Sequence, residues 1–311
     1  MYLDGVVYLP ICEEMRKRLD AFEVDGIEDG GMIEYLTRKK KEGRFPVYQT
    51  TERPDRAAQA MLEGRVVLLT DNSPEALIFP ATLNSLFQTA DDYYRNERIV
   101  TFLRLIRYVA AFLALALPGL YVAAATFHPQ LLPGNLIRSM AEARSGVPFP
   151  TAAEVLLMEL SFELLREAGL RMPGPAGNTI GIVGGLIVGQ AAVSANLVSP
   201  ITVTVAALTA LGSFSIPNEE LSEVFRLWKY GILLLGSCFG ILGVMLGCFL
   251  LLMLMAEQES YGIPWLYPYV GGNLNERADE KDSMFLAAAR KRKRRPIFAK
   301  WGNRIRFRRK S

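Results

Sequence analysis

From Met172 to Asn218 the chain runs 47 residues without one charged side chain. A bilayer's hydrocarbon core is about 30 Å thick, and a helix rising about 1.5 Å per residue needs about 20 residues to cross it. The stretch is long enough for two crossings, and a soluble core gives no reason for such a run. Two further apolar runs flank it, Tyr108 to Phe127 before and Tyr230 to Ala256 after. The pattern is that of a polytopic α-helical membrane protein.

Charge is segregated along the chain. The first hundred residues mix acids and bases like a soluble domain, the middle is nearly charge-free, and the end is basic. Between Arg290 and Lys310 stand twelve Lys or Arg and no acid, so the net charge of +3 conceals a strongly cationic end. The start, Met1-Tyr2-Leu3-Asp4-Gly5, has no basic n-region ahead of an apolar core and does not read as a signal peptide. The positive-inside rule places the basic tail in the cytoplasm, and Arg95, Arg98, Arg104 and Arg107 place the start of the first span there too. Two cytoplasmic termini require an even number of crossings. The expected divisions are a soluble α/β domain over 1–98, a membrane domain over 99–256 and a basic cytoplasmic tail over 257–311.

Within the soluble part, Glu13 to Phe22 and Arg56 to Glu63 read as short amphipathic helices, the second following Pro54-Asp55. Arg65 to Thr70 reads as a strand, Asp71-Asn72-Ser73-Pro74 as a turn and Ala76 to Phe79 as the partner strand. Four crossings are expected, over 108–127, 178–196, 200–216 and 230–256. Pro118 and Pro200 are candidate hinges, with a kink expected at Pro118. Residues 128 to 150 read as a connection. Thr151 to Ala168 reads as one amphipathic or re-entrant helix with Glu159, Glu163 and Glu167 on one face and Glu154 on the other. Gly181, Gly185 and Gly189 recur at four-residue intervals, a spacing that lets helix backbones approach closely in a membrane.

No residue set supports catalysis, and an enzyme is not expected. The one histidine, His128, sits at a span edge, and Cys12, Cys238 and Cys248 show no metal or disulfide spacing. Neither a phosphate-binding loop nor a dinucleotide fingerprint is present. No cofactor or metal is called for, and the basic tail reads as an anchor on anionic lipid and not as a nucleic-acid site.

A resemblance lies in the motifs. Arg171-Met172-Pro173, then Gly177-Asn178-Thr179-Ile180-Gly181 through Gly184-Gly185 to Gly189-Gln190-Ala191-Ala192-Val193, then Val198-Ser199-Pro200, resembles the membrane core of the spore germinant receptor A-subunit family (GerA-type). Thr51-Glu52-Arg53-Pro54-Asp55, Leu62-Glu63-Gly64-Arg65, Asp91-Asp92-Tyr93-Tyr94 and Leu117-Pro118-Gly119-Leu120-Tyr121-Val122 fit it too. So do Val147-Pro148-Phe149-Pro150, Glu163 to Gly169 and Ser260-Tyr261-Gly262-Ile263-Pro264, extending the likeness from about Tyr2 to Tyr269. The resemblance implies a multi-pass protein of the inner membrane of the bacterial endospore. It also implies a transporter-like B-subunit, a lipoprotein C-subunit and a small nutrient ligand as partners. Family members usually carry a further soluble region ahead of the part matching Tyr2, so the chain reads as a shortened form.

On that footing the first expectation is a homo-oligomer that forms or gates a cation pathway. Glu159 and Glu163 would ring a vestibule, and Gln190, Ser194 and Asn196 would offer oxygens to a partly dehydrated ion. Gly181, Gly185 and Gly189 would lie at helix contacts between subunits. In the competing reading the glycines pack helices within one subunit and the acids pair with Arg166 and Arg171. The alternative function is a non-conducting scaffold, like the AF protein of the stage V sporulation operon, that organises a partner transporter. A secondary transporter is the weakest of the three, because no inverted repeat is visible.

Overall fold

The computed structural model describes residues 1–39, 43–71, 73–171, 175–270, 282–288, 292 and 294–300, with the backbone alone over 175–183. The chain divides into two compact units. One takes Met1–Tyr108, Pro217–Val224 and Leu252–Ser311; the other takes Val109–Ile216 and Phe225–Leu251.

The first unit opens with helices α1 (Leu9–Leu19) and α2 (Gly30–Thr37), then strand β1 (Gln49–Thr51) and helix α3 (Pro54–Leu62). Strands β2 (Val66–Leu69) and β3 (Ala76–Phe79) and the short helix α4 (Leu83–Phe87) follow. Pro10 stands in the first turn of α1 and Pro54 opens α3, where a fixed φ and a missing N–H cost nothing. Both helices therefore start earlier than the sequence reading placed them. The expected hairpin is present: Val67 pairs with Ile78 and Val66 with Phe79, antiparallel. Asn72, in the expected turn, lies outside the described residues. The unforeseen strand β1 adds to the far edge of β3, giving the order β1-β3-β2. All four residues of β3 are buried, and they alternate between two clusters. Leu77 and Phe79 join Val7, Ile11 and Met15, while Ala76 and Ile78 join Ala60 of α3. This is the period-2 alternation of a strand covered on both faces.

The region read as a basic tail supplies part of this unit's core. After strands β4 (Glu259–Ser260) and β5 (Ile263–Pro264), the fully buried Trp265 donates its indole N–H to the Pro46 carbonyl at 2.7 Å. Its ring lies 4.9 Å from that of Phe45. Gln258 donates to the Phe45 carbonyl, and Phe298 sits in the cluster around Phe79. Lysines and arginines dominate the composition after residue 289, but aromatic anchors decide where the described segments pack. Most of Arg290 to Lys310 lies outside the described residues.

Helix α5 (Glu97–Thr126) begins in this unit and continues into the other. Arg104, read from sequence as one of the positive charges ahead of the first span, is 1% exposed. It donates to Asp92 at 3.0 Å and to Asp282 at 2.9 Å. Arg107 grips the same Asp92 through two N–H groups.

The second unit is helical: the membrane half of α5, then α6 (Gly134–Arg144), α7 (Thr151–Arg171), α8 (Pro175–Ser194), α9 (Pro200–Phe214) and most of α10 (Glu219–Glu257). Helix α6 occupies what the sequence reading took for a plain connection. Among the described residues two helices, α5 and α10, are long and apolar enough to cross a membrane. Helix α5 runs through Pro118. The neighbouring Gly119 has a direct packing reason: a Cβ there would stand 3.2 Å from the Ile232 carbonyl and 3.3 Å from Val244.

Helix α10 departs most from expectation. Straight, its 39 residues would extend about 58 Å, nearly twice a hydrocarbon core. It breaks at Gly240, whose φ of 63° and ψ of −143° are closed to residues with a Cβ. The halves then lie side by side. A Cβ on Gly243 would collide with the Leu235 carbonyl oxygen, and one on Gly247 would stand 2.9 Å from Ile232. In an unbroken helix Ile232 and Gly247 would be about 22 Å apart. The single last span expected over 230–256 is therefore a helical hairpin, with Gly236, Gly243 and Gly247 at its seam.

Candidate functional site

The site residues proposed from sequence gather on α7, α8 and the break that follows α8. The sequence reading set Glu154 on one side of α7 and an acidic face on the other. The structure buries both Glu154 and Glu159, because the packed stripe of α7 runs through Thr151, Glu154, Val155, Met158 and Glu159. All four α7 acids have basic partners. Glu154 is fully enclosed and meets Arg144 at 3.1 Å. Glu159 meets Lys229 at 2.5 Å, with both side chains at most 5% exposed. Glu163 meets Arg226 at 2.8 Å, and Glu167 meets Arg171 at 2.7 Å on the surface.

These partners correct the sequence pairing. Of the expected bases, Arg171 serves Glu167, and Arg166 lies over the Phe214 ring with an N–H toward Ser213. The residues missed were Arg226, Lys229 and Arg144. A signal for two of them was present: Glu159 and Glu163 are four apart on one helix, and Arg226 and Lys229 are three apart on another. Both spacings put their members on one face. Tyr230 adds a hydroxyl directed at the Glu159 carbonyl, 3.5 Å away.

The Glu154 carboxylate organises the break between α8 and α9. One oxygen accepts the Ser199 backbone N–H at 2.9 Å and the Thr202 hydroxyl at 3.1 Å. Ser199 caps α9, its hydroxyl accepting from the Thr202 N–H. The Tyr121 and Thr202 hydroxyls share a hydrogen bond across 3.3 Å. Pro200 is thus the first residue of a capped helix. The turn itself occurs just before it, where Asn196 has a φ of 53°.

Gly185 and Gly189 face neighbours of their own chain. Cβ atoms there would stand 3.3 Å from Phe162 of α7 and 3.3 Å from Val203 of α9. Gly184, whose Cβ would stand 2.8 Å from Leu165, packs in the same way. The side-chain surroundings of Gly181 lie outside the described residues. Gln190, Ser194 and Asn196 are exposed. Among the described residues no group of three or more His, Cys, Asp or Glu is placed to hold a metal ion.

Comparison with known proteins adds the frame for this arrangement. Spore germination protein A1 of Bacillus subtilis is 39% identical over 268 residues, 86% of this chain and 56% of that protein. Spore germination protein KA of the same organism is 38% identical over 268 residues, 86% of this chain and 49% of that one. An uncharacterised membrane protein of Bacillus subtilis, YfkQ, is 39% identical over 287 residues, 92% of this chain and 55% of that protein. The chain spans about half the length of these curated relatives. No solved structure matches it. Residues 1–298 match the family described as Bacillus/Clostridium GerA spore germination protein, and the chain belongs to that family.

Proposed function

We propose that the chain acts as the A-subunit of a germinant receptor. In this reading it sits as a multi-pass protein in the inner membrane of the endospore and takes part in nutrient-triggered germination by forming or gating an oligomeric cation pathway. The observation that carries the reading is the family match over residues 1–298, joined to relatives named as spore germination proteins. Support from the geometry is of a particular kind. Polar and ionic groups sit inside an otherwise apolar helical unit, where such groups are costly and mark function.

The ion pairs reshape the mechanism. With Glu159 and Glu163 each matched by a base on α10, the acids act as fasteners between α7 and the hairpin while the pairs are closed. Opening a pair would free a carboxylate toward a pathway. Gln190, Ser194 and Asn196, exposed on α8 and at its end, are the oxygen-bearing groups left to face an ion or a second copy. Transporter-like B- and lipoprotein C-type partners, a small nutrient ligand and anionic lipid under the basic end complete the proposal.

The scaffold reading is favoured by one observation. Gly185 and Gly189, two of the three glycines of the expected seam, have neighbours within the chain, which supports packing inside one subunit at those positions. The test is nutrient-triggered cation release from spores in which this chain's gene is deleted and then restored. Slowed release that the wild-type gene restores is the expected result; release and germination unchanged by the deletion would refute the role.

A further inference from the structure

The first unit contains a cavity of about 50 Å³ walled by Arg65, Arg292, Arg294, Glu63, Asp282 and Tyr93, among others. A water position needs roughly 10–15 Å³ measured in this way, so there is room for several waters or for one small polyatomic ion. We propose that this cavity binds a small oxyanion, a phosphate or a carboxylate, through the guanidinium groups of Arg65, Arg292 and Arg294.

The donors decide the sign of the ligand. Arg65 is 3% exposed; its Nε forms an ion pair with Glu63 at 3.6 Å but has no hydrogen-bond partner among the described residues. The other contacts of Arg65 are the Pro80 carbonyl at 3.4 Å and the face of the Phe298 ring at 4.4 Å. Arg292 has a second buried Nε with no hydrogen-bond partner among the described residues, while its Nη1 donates to Asp282. The exposed Arg294 carries the wall out to the surface.

The acids in the wall are already engaged. Asp282 accepts from Arg104, Arg292 and the Tyr93 hydroxyl, and Glu63 accepts from Gln59. The neutral donors are also used, since the side-chain amides of Asn84 and Gln88 both donate to the Asp282 carbonyl. Guanidinium groups of the lining thus keep N–H donors not used among the described residues, and a guanidinium's fork matches carboxylate and phosphate oxygens. Burial pushes the Arg65 guanidinium down to about 10 against the pull of Glu63, so Glu63 offsets the desolvation cost only in part and an anion at its side would offset more of it.

Isothermal titration of the detergent-solubilised full chain with inorganic phosphate, and separately with acetate, tests this. Saturable binding of either probe is expected, weakened about tenfold or more by Arg294→Ala, as loss of a charge-assisted hydrogen bond requires. Arg294 is exposed, so its loss leaves the fold intact; Arg292→Gln checks the buried side. Phosphate binding without acetate binding would assign a phosphate site, and the reverse a carboxylate site. No saturable heat with either probe, or binding equal in Arg294→Ala and wild type, would overturn the proposal.

Discussion

Each acid on α7 faces a base, and the consequence differs with depth. Glu159 and Lys229 are both enclosed, so removing either partner strands a charge in a medium that cannot solvate it. Lys229→Met is expected to cost about 3–5 kcal/mol, and the double variant Glu159→Gln with Lys229→Met to recover most of it. Thermal unfolding of the two variants in detergent, compared with wild type, reads this directly. At Asp92 burial works against the charge, but Arg107 and Arg104 outweigh it and hold the carboxyl below its usual value. A carboxylate held down in this way contributes stability above the ordinary carboxylate range, and the contribution is lost as pH falls through the folded value. Asp92→Asn is therefore expected to lower stability at neutral pH by about 3 kcal/mol, with Asp282 still holding Arg104. The deficit against wild type should shrink as the pH is lowered; a constant deficit would mean that the ion pair is not its source. The acids were legible in the sequence and their partners were not. Glu159 and Lys229 are 70 positions apart, and helical spacing constrains a face without naming what packs on it.

At the scale of elements, the strand pair 66–69 and 76–79 and the break ahead of Pro200 could be read from local chemistry. The hairpin in α10 could not. Gly236, Gly240, Gly243 and Gly247 suit a straight helix meeting a neighbour as well as they suit a helix meeting itself, and only the positive φ at Gly240 decides. Two outcomes follow from the seam. Gly243→Ala places a Cβ against backbone at Leu235, which cannot give way, and is expected to reduce the folded yield sharply. Gly231→Ala meets nothing within 4 Å and is expected to be neutral or to stabilise by up to about 1 kcal/mol. Size-exclusion profiles of the solubilised variants distinguish them. A hairpin also brings its two ends to the same face of a membrane. In a background lacking Cys12, Cys238 and Cys248, Glu223→Cys and Glu259→Cys should react with an impermeant maleimide from one side only, and from the same side. Labelling from opposite faces would restore a single crossing.

For the molecule as a whole, the 47-residue charge-free run placed the chain in a membrane class, and ordered motifs from Thr51 to Pro264 pointed to the family that residues 1–298 match. The end of the chain was harder to read. Its arginine-rich composition suggested a basic tail over 257–311, whereas Trp265 and Phe298 are buried in the first unit, because large apolar side chains gain most from leaving water. The functional account rests on a cation pathway built from several copies, and its most direct test joins mass to flux. The purified chain's native mass in detergent is measured, and the same preparation is reconstituted in vesicles to follow potassium and chloride efflux. The account predicts a discrete homo-oligomer and efflux selective for potassium, with the rate altered by exchanging the charges of Glu163 and Arg226. A monodisperse monomer whose vesicles release neither ion would contradict the pathway and leave the scaffold reading in its place.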